Sequence, residues 1–259
     1  MLFRSYLVDS HFHWDRTHGN ASYEKLGAKI VSSKATQRLM AETSASRVRG
    51  TLERDGHVAR GMASIPALID AAKDQLAKGG GDAAALQERL RQLDAYAAEM
   101  KDFAPALPDV TFEKSFVIKD KEFDLYLQFN GRAHTAGDTQ VFCPQRRVIA
   151  TGDVSAAFLG DGFPRDWPKT LDTIMKLKWD NALPGHGPIQ PGHAQMTSMR
   201  NYMEELTARV ITGKHAGQSI TDLQNSVQVA SLKAPLTPNL TQAAVNAHIL
   251  QMYDRVDLK

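Results

Sequence analysis

His11-Phe12-His13-Trp14-Asp15-Arg16-Thr17-His18-Gly19 is the stretch that decides how this chain of 259 residues is read. It follows Leu2-Phe3-Arg4-Ser5-Tyr6-Leu7-Val8, an apolar run over 2–9 with the character of a short buried strand. A polar, histidine-rich turn at the end of such a strand is where α/β proteins place chemistry. Two histidines at i and i+2 can both reach one cation when the backbone turns, and an aspartate two positions on can reach a second ion beside it. Imidazole and carboxylate suit zinc, and a catalytic zinc keeps one coordination position open for water. A lone His-x-His is often surface decoration, so the reading depends on what the rest of the chain supplies.

Three further motifs supply it. They are Gly131-Arg132-Ala133-His134-Thr135-Ala136-Gly137-Asp138, then Ala150-Thr151-Gly152-Asp153, then Leu183-Pro184-Gly185-His186-Gly187. Each falls at the end of an apolar run and sets small residues beside a His or Asp, and glycine there lets the backbone approach a metal or substrate closely. The bland alternative is four unrelated polar strand ends. Four such ends, all carrying a His or an Asp, are hard to assign to packing.

Between the motifs the pattern alternates. Residues 28–32 read as a strand, and a helix is expected from Gly19 or Asn20. Residues 34–102 are rich in Ala, Leu, Glu, Arg and Gln, with Leu86, Leu90, Leu93 and Tyr96 at helical spacing. Gly79-Gly80-Gly81 breaks this section, Asp82 can cap the helix that follows, and Pro105 and Pro108 end it, so two or three helices forming a hairpin are expected. Val110–Ile118 reads as one alternating strand, followed by strands at 122–129, 140–144 and 148–151. An amphipathic helix over 168–180 and a short strand at Ala182-Leu183 lead to helices at 194–212, 219–230 and 241–256. One domain over 1–259 is expected, with a helical insertion at 34–108 and a helical C-terminal region at 190–259.

Composition sets the limits. The chain is 42% hydrophobic and 23% charged with a formal net charge of +2, enough for a sizeable core and too mild a charge to imply nucleic acid. Arg47, Arg49, Arg54 and Arg60 are interrupted by Glu53 and Asp55 and read as a solvated helix face. The one cysteine, Cys143, excludes an intrachain disulfide and reads as a buried strand residue. No run of 18 apolar residues exists, so no membrane helix is expected. The first residues lack a basic n-region and a long apolar segment, which leaves a cytoplasmic location by default and a periplasmic one if a leader is missing.

The order His-x-His-x-Asp, Ala-His-Thr-x-Gly-Asp, Thr-Gly-Asp, Pro-Gly-His-Gly resembles the metallo-β-lactamase superfamily over residues 2–190, apart from the segment 34–108. The resemblance implies an α/β (α+β) fold, a four-layer αββα sandwich with the metal site along one edge of its two sheets. It implies His11, His13 and His134 on a first zinc, and Asp15, Asp153 and His186 on a second, with Asp153 in the bridging place. One or two zinc ions are expected, with iron or manganese as the alternatives. The chain departs from the family in two places. Arg16 stands where the wider hydrolases carry a histidine ligand of the second ion; one class of true β-lactamases accepts arginine there but uses a cysteine where this chain has Asp153. A guanidinium near the second ion opposes cation binding unless it is paired or turned away, and it can equally hold a substrate carboxylate or pair with a nearby acid. The sheet of the N-terminal half also starts late and is expected to be incomplete. A partner subunit (a homodimer), a swapped element or the insertion would cover its edge, unless the chain is a truncated product.

The resemblance implies a metal-dependent hydrolase acting on a small molecule. A metal-bound hydroxide would attack the carbonyl of a β-lactam, lactone, thioester or ester, with Asp15 or Asp153 orienting the water and taking its proton. Arg16, His18 and Trp14 are the substrate-binding candidates, with Phe158, Phe163 and the glycines at Gly160–Gly162 forming a substrate-facing loop and Trp167 packing that loop onto the core. His57, His193, His215 and His248 read as surface or internally satisfied residues. The alternative of another class is a catalytically impaired metal-binding or interaction module of the same fold.

Overall fold

The computed structural model describes residues 5–54, 56, 63–155, 159–235 and 240–258. Strand β1 (Tyr6–Val8) leads through two short helices, α1 (Trp14–Thr17) and α2 (Asn20–Lys25), to β2 (Lys29–Ser33). The helical segment expected as an insertion follows. Helix α3 (Lys34–Leu39), capped by the Ser33 hydroxyl on the Thr36 amide, runs through a π-helical turn at Met40–Ser44 into α4 (Ala45–Leu52). Helix α5 (Ile65–Ala77) then packs on α6 (Ala83–Met100), whose first amides are capped by Asp82, as the spacing predicts.

Strand β3 (Val110–Phe112) closes a parallel three-stranded sheet in the order β1-β2-β3. The second sheet has six strands in chain order: β4 (Ser115–Ile118), β5 (Leu125–Gln128), β6 (Gln140–Cys143), β7 (Val148–Gly152), β8 (Asn181–Pro184) and β9 (Gln190–Pro191). Its pairs are antiparallel except β7–β8, which needs a crossover and obtains it from α7 (Trp167–Met175). Helices α8 (Ala194–His215), α9 (Ile220–Ser226) and α10 (Gln242–Met252) complete the chain.

Alternation along the strands builds the layers. On β5, Leu127 packs with Val31 and Phe112 of the first sheet, whereas its neighbour Tyr126 packs on the opposite side with the cluster of Ile149, Leu171, Met199, Tyr202 and Ile249. The two sheets therefore face each other, α7, α8 and α10 cover the far side of the larger one, and α2 and α3 pack on β2 and β3 of the smaller. This is the αββα arrangement.

The structure corrects the single strand expected at 110–118. The chain leaves the first sheet after Phe112 and joins the second at Ser115, with an exposed Glu113 paired to Lys34 at 2.8 Å and the Lys114 carbonyl accepting from the Phe129 amide at 2.9 Å. The pattern hides this switch because Val110, Phe112, Phe116 and Ile118 all point into the same layer between the sheets. Likewise α7 stops at Met175 rather than 180; Trp179 folds back and its indole donates to the Ile174 carbonyl at 3.0 Å.

Trp167 joins this core to the loops above it. It is fully buried, its indole N–H donates to the Val154 carbonyl at 2.7 Å, and its ring meets the edge of His134 at 5.9 Å between centroids. Trp167→Ala should cost about 3–5 kcal/mol in urea unfolding through the cavity it leaves. Trp167→Phe should cost less, about 1–3 kcal/mol, mostly from the orphaned Val154 carbonyl.

Candidate metal centre

The strand ends bring the expected residues together, and each is tied down by its backbone. Past β1, the Asp9 amide donates to the Val31 carbonyl at 3.0 Å and the Ser10 carbonyl accepts from Thr139 at 2.7 Å, so the turn into His11 is fixed to both sheets. His13 caps α1 in an extended conformation, and its carbonyl accepts from the Arg16 and Thr17 amides at 3.0 and 3.2 Å, which displays Asp15 and Arg16 on the first turn. The His134 loop curls around Asp138, whose carboxylate accepts from the Thr135 amide at 2.9 Å and the Thr135 hydroxyl at 2.6 Å. Ser33 and Thr36 anchor the same loop by donating to the Gly137 carbonyl at 2.7 and 2.9 Å, and a side chain on Gly137 would collide with both. Gly152, at φ +56°, turns the end of β7 so that Asp153 opens a 3-10 turn beside the ligands.

His11, His13 and His134 meet ring edge to ring edge. His13 Nδ1 lies 3.1 Å from His11 Nε2 and 3.0 Å from His134 Nε2, with the three rings nearly perpendicular in pairs. Asp153 Oδ2 stands next to them, 3.6 Å from His11 Nε2, 3.7 Å from His134 Nε2 and 3.3 Å from His186 Nε2. His186 Nε2 is also 3.1 Å from Asp15 Oδ2. The ligand atoms thus form two groups, His11/His13/His134 and Asp15/Asp153/His186, with Asp153 touching both. The first group is sealed, with His11 and His134 each 1% exposed; the second opens outward, with His186 61% exposed.

The first group fits a divalent cation. The His13 Nε2–H donates to Asp161 Oδ2 at 2.7 Å, so its lone pair sits on Nδ1 and faces two other ring nitrogens. Three ring nitrogens that converge in this way can turn their lone pairs onto one cation. Nitrogens bonded tetrahedrally to zinc at 2.0–2.1 Å lie about 3.3 Å apart, near the observed spacing. Burial, with the nearby His134, His13, Arg16 and His186 adding to it, holds the His11 pKa well below its usual value and favours the neutral, ligating form of the ring. The second group has a suitable donor set but already contains a cation. Arg16 Nη2 donates to Asp153 Oδ1 at 2.6 Å and lies 3.4 Å from Asp15 Oδ2. Of the options open for Arg16, the structure adopts the ion pair.

Two residues that hold the site were not legible in the motifs. Asp161, expected only as part of a substrate-facing loop, is the acceptor for His13. Arg47, expected on a solvated face, reaches from α4 to clamp Asp161 with both guanidinium nitrogens at 2.7 and 2.8 Å while lying over the Phe12 ring. Arg255 donates to the Asp161 and Gly162 carbonyls at 2.6 and 2.7 Å. Burial raises the Asp161 pKa, and the bonds from Arg47 and His13 more than reverse it, so the carboxylate stays ionised. The remaining candidates lie apart from the ligands. Trp14 is 58% exposed on α1, and His18 packs on Phe103 outside both groups. His193 stacks on Trp179, and His248 pairs with the Tyr202 hydroxyl at 2.6 Å. Phe158 and His57 lie outside the described residues.

No protein-family model matches the chain, and no curated protein matches it. Solved structures do. A stereoselective inverting sec-alkylsulfatase from Pseudomonas sp. aligns over 96% of this chain and 40% of its own length, at 12% identity and a TM-score of 0.61. A metallo-β-lactamase from Pontibacter korlensis aligns over 76% of this chain and 67% of its own, at 18% identity and a TM-score of 0.48. The DIM-1 metallo-β-lactamase, exposed to ceftazidime, aligns over 76% and 66%, at 13% identity and a TM-score of 0.47. The chain thus spans two fifths of the alkylsulfatase and about two thirds of the β-lactamases. The alkylsulfatase alignment leaves too few residues outside it to exclude either the helical segment 34–108 or the helices after residue 190.

Two outcomes follow from this geometry. Asp161→Asn or Arg47→Ala should weaken binding of a zinc ion by about 10–100-fold in chelator competition, because the second partner of a ligating histidine fixes its ring and raises its basicity. The second concerns Asp9. Burial lifts its carboxyl pKa to about 7, opposed by the bond from Asn20 at 2.8 Å. The folded chain then holds that proton more tightly than the unfolded one, so the stability it gives is complete below about pH 4 and is lost as pH rises through about 7. Urea unfolding across that window should show the decline, and Asp9→Asn should flatten it; Asp138, likewise raised to about 7 by burial, supplies the slope that remains.

Proposed function

We propose, from the metallo-β-lactamase fold that this chain has, that it is a metal-dependent hydrolase with zinc held by His11, His13 and His134. The observation that carries the reading is the convergence of three buried imidazole nitrogens at 3.0–3.1 Å, with a carboxylate oxygen of Asp153 beside them. A divalent cation bound there would supply Lewis acidity toward the substrate oxygen and would lower the pKa of water to about 7.

The chain's own residues do the rest. Asp153, 5% exposed and fixed by Arg16, keeps Oδ2 turned to the first group, where it can orient water. Asp15 sits at the open side against His186 and is placed to take a proton and pass it to solvent. Trp14, adjacent to Asp15 in the chain, offers an exposed indole for an apolar part of the substrate. The substrate we propose is a carbonyl compound: a β-lactam, lactone, thioester or ester. A sulfate ester is a second reading, favoured by the alkylsulfatase alignment, which extends through the insertion and the C-terminal helices.

Chelation should abolish turnover of a panel of chromogenic esters, lactones, β-lactams and alkyl sulfates, and zinc should restore it. Asp15→Asn should lower kcat on the order of 10²–10⁴-fold, the usual contribution of a positioned acid or base. Equal rates for the wild type and His13→Ala after zinc repletion would sink the enzyme reading in favour of a binding module.

A further inference from the structure

We infer that Arg16 takes the place of the second cation, so that this centre holds a single divalent ion while the guanidinium partly neutralises Asp15 and Asp153 from within the chain. The inference rests on the reading that His11, His13 and His134 hold the first ion.

The argument begins with shared ligands. A second ion would have to bind Asp15, Asp153 and His186, whose donor atoms lie within 4.8 Å of one another. One guanidinium nitrogen already sits between the two carboxylates of that set, 2.6 Å from Asp153 Oδ1 and 3.4 Å from Asp15 Oδ2. One of the two negative charges is thereby compensated within the chain. A guanidinium keeps its charge across the whole physiological pH range, so it never vacates by losing a proton. An incoming ion would share the carboxylates with a permanent positive charge, and like charges at contact range repel strongly in a partly buried site.

The backbone makes room for this arrangement. Gly185, immediately before His186, lies against the pair, and any Cβ there would run into Asp153 Oδ1 and Arg16 Nη2. The Gly185 amide donates to the Gly152 carbonyl at 2.8 Å, which ties the loop down next to Asp153. The arginine therefore has a fitted slot at the ligand carboxylates and is not a surface side chain folded over them. The same pair divides the work of Asp153: Oδ1 belongs to Arg16, and Oδ2 is left for the first group at 3.6 and 3.7 Å.

Metal stoichiometry tests the inference. The wild-type chain is loaded with excess Zn²⁺, dialysed and analysed for metal content, and Zn²⁺ binding is followed by calorimetry. One tight ion per chain is expected. Arg16→Met should admit a second ion, with its affinity raised on the order of a hundredfold as one like charge is removed, and Arg16→Lys, which keeps the charge, should remain near one. Two ions of similar affinity in the wild type would overturn the inference alone, whether or not the Met variant folds. A folded Arg16→Met that still takes one ion would also overturn it. No bound ion in the wild type would overturn both this inference and the metal reading beneath it.

Discussion

Three imidazole nitrogens held about 3 Å apart in a buried space are a standing electrostatic problem, and the architecture is organised around it. The packing of His11 and His134 keeps their rings from turning to water. A cation at the common focus would take up all three nitrogens. The fold accepts the arrangement because each ligand is delivered from a different strand end, where backbone hydrogen bonds and not the side chain's own preferences fix its position. β1, the loop after β5, β7 and β8 all end at the same edge, so sheets assembled by ordinary apolar alternation bring the ligands together as a consequence of strand order.

The helical segment at 34–108 is part of this arrangement. Arg47 on α4 reaches Asp161, Asp161 holds His13, and Arg255 from beyond α10 holds the Asp161 backbone. Segments far apart in sequence thus converge on one ring. The Ser33 and Thr36 hydroxyls at the start of α3 perform the same service for the His134 loop through Gly137. The candidate ligands hold their geometry because neighbouring layers hold them.

What was legible in the sequence follows from this division. His11, His13, His134, Asp153 and His186 could be read because each needs a strand before it and a small residue beside it, and both requirements leave local marks. The strands β5 to β7 could be read because one face of each is buried against helices and the other against the first sheet. The switch between sheets at residues 113–114 was masked, since both strands feed the same apolar layer with the same period. Asp161 and Arg47 were invisible for another reason: their contact spans 114 residues and leaves no spacing that a motif could carry. Arg16 was legible as an anomaly beside Asp15, but only coordinates could choose between a substrate anion and Asp153 as its partner.

The distribution of charge also bears on reactivity. Asp161 is balanced by Arg47, and the Asp153–Asp15 pair shares Arg16. Set apart from these pairs, the first group is three imidazoles with one partly compensated carboxylate at their side. A ligand set of that kind withdraws little of a cation's charge, in contrast to one rich in free carboxylates or thiolates. The internal arginines therefore do more than hold carboxylates in place. With a cation bound, they would leave more of its charge available on the side where His186 is exposed. Negative charge developing on a substrate oxygen at that mouth would meet a positive field that the protein's own carboxylates have not already cancelled.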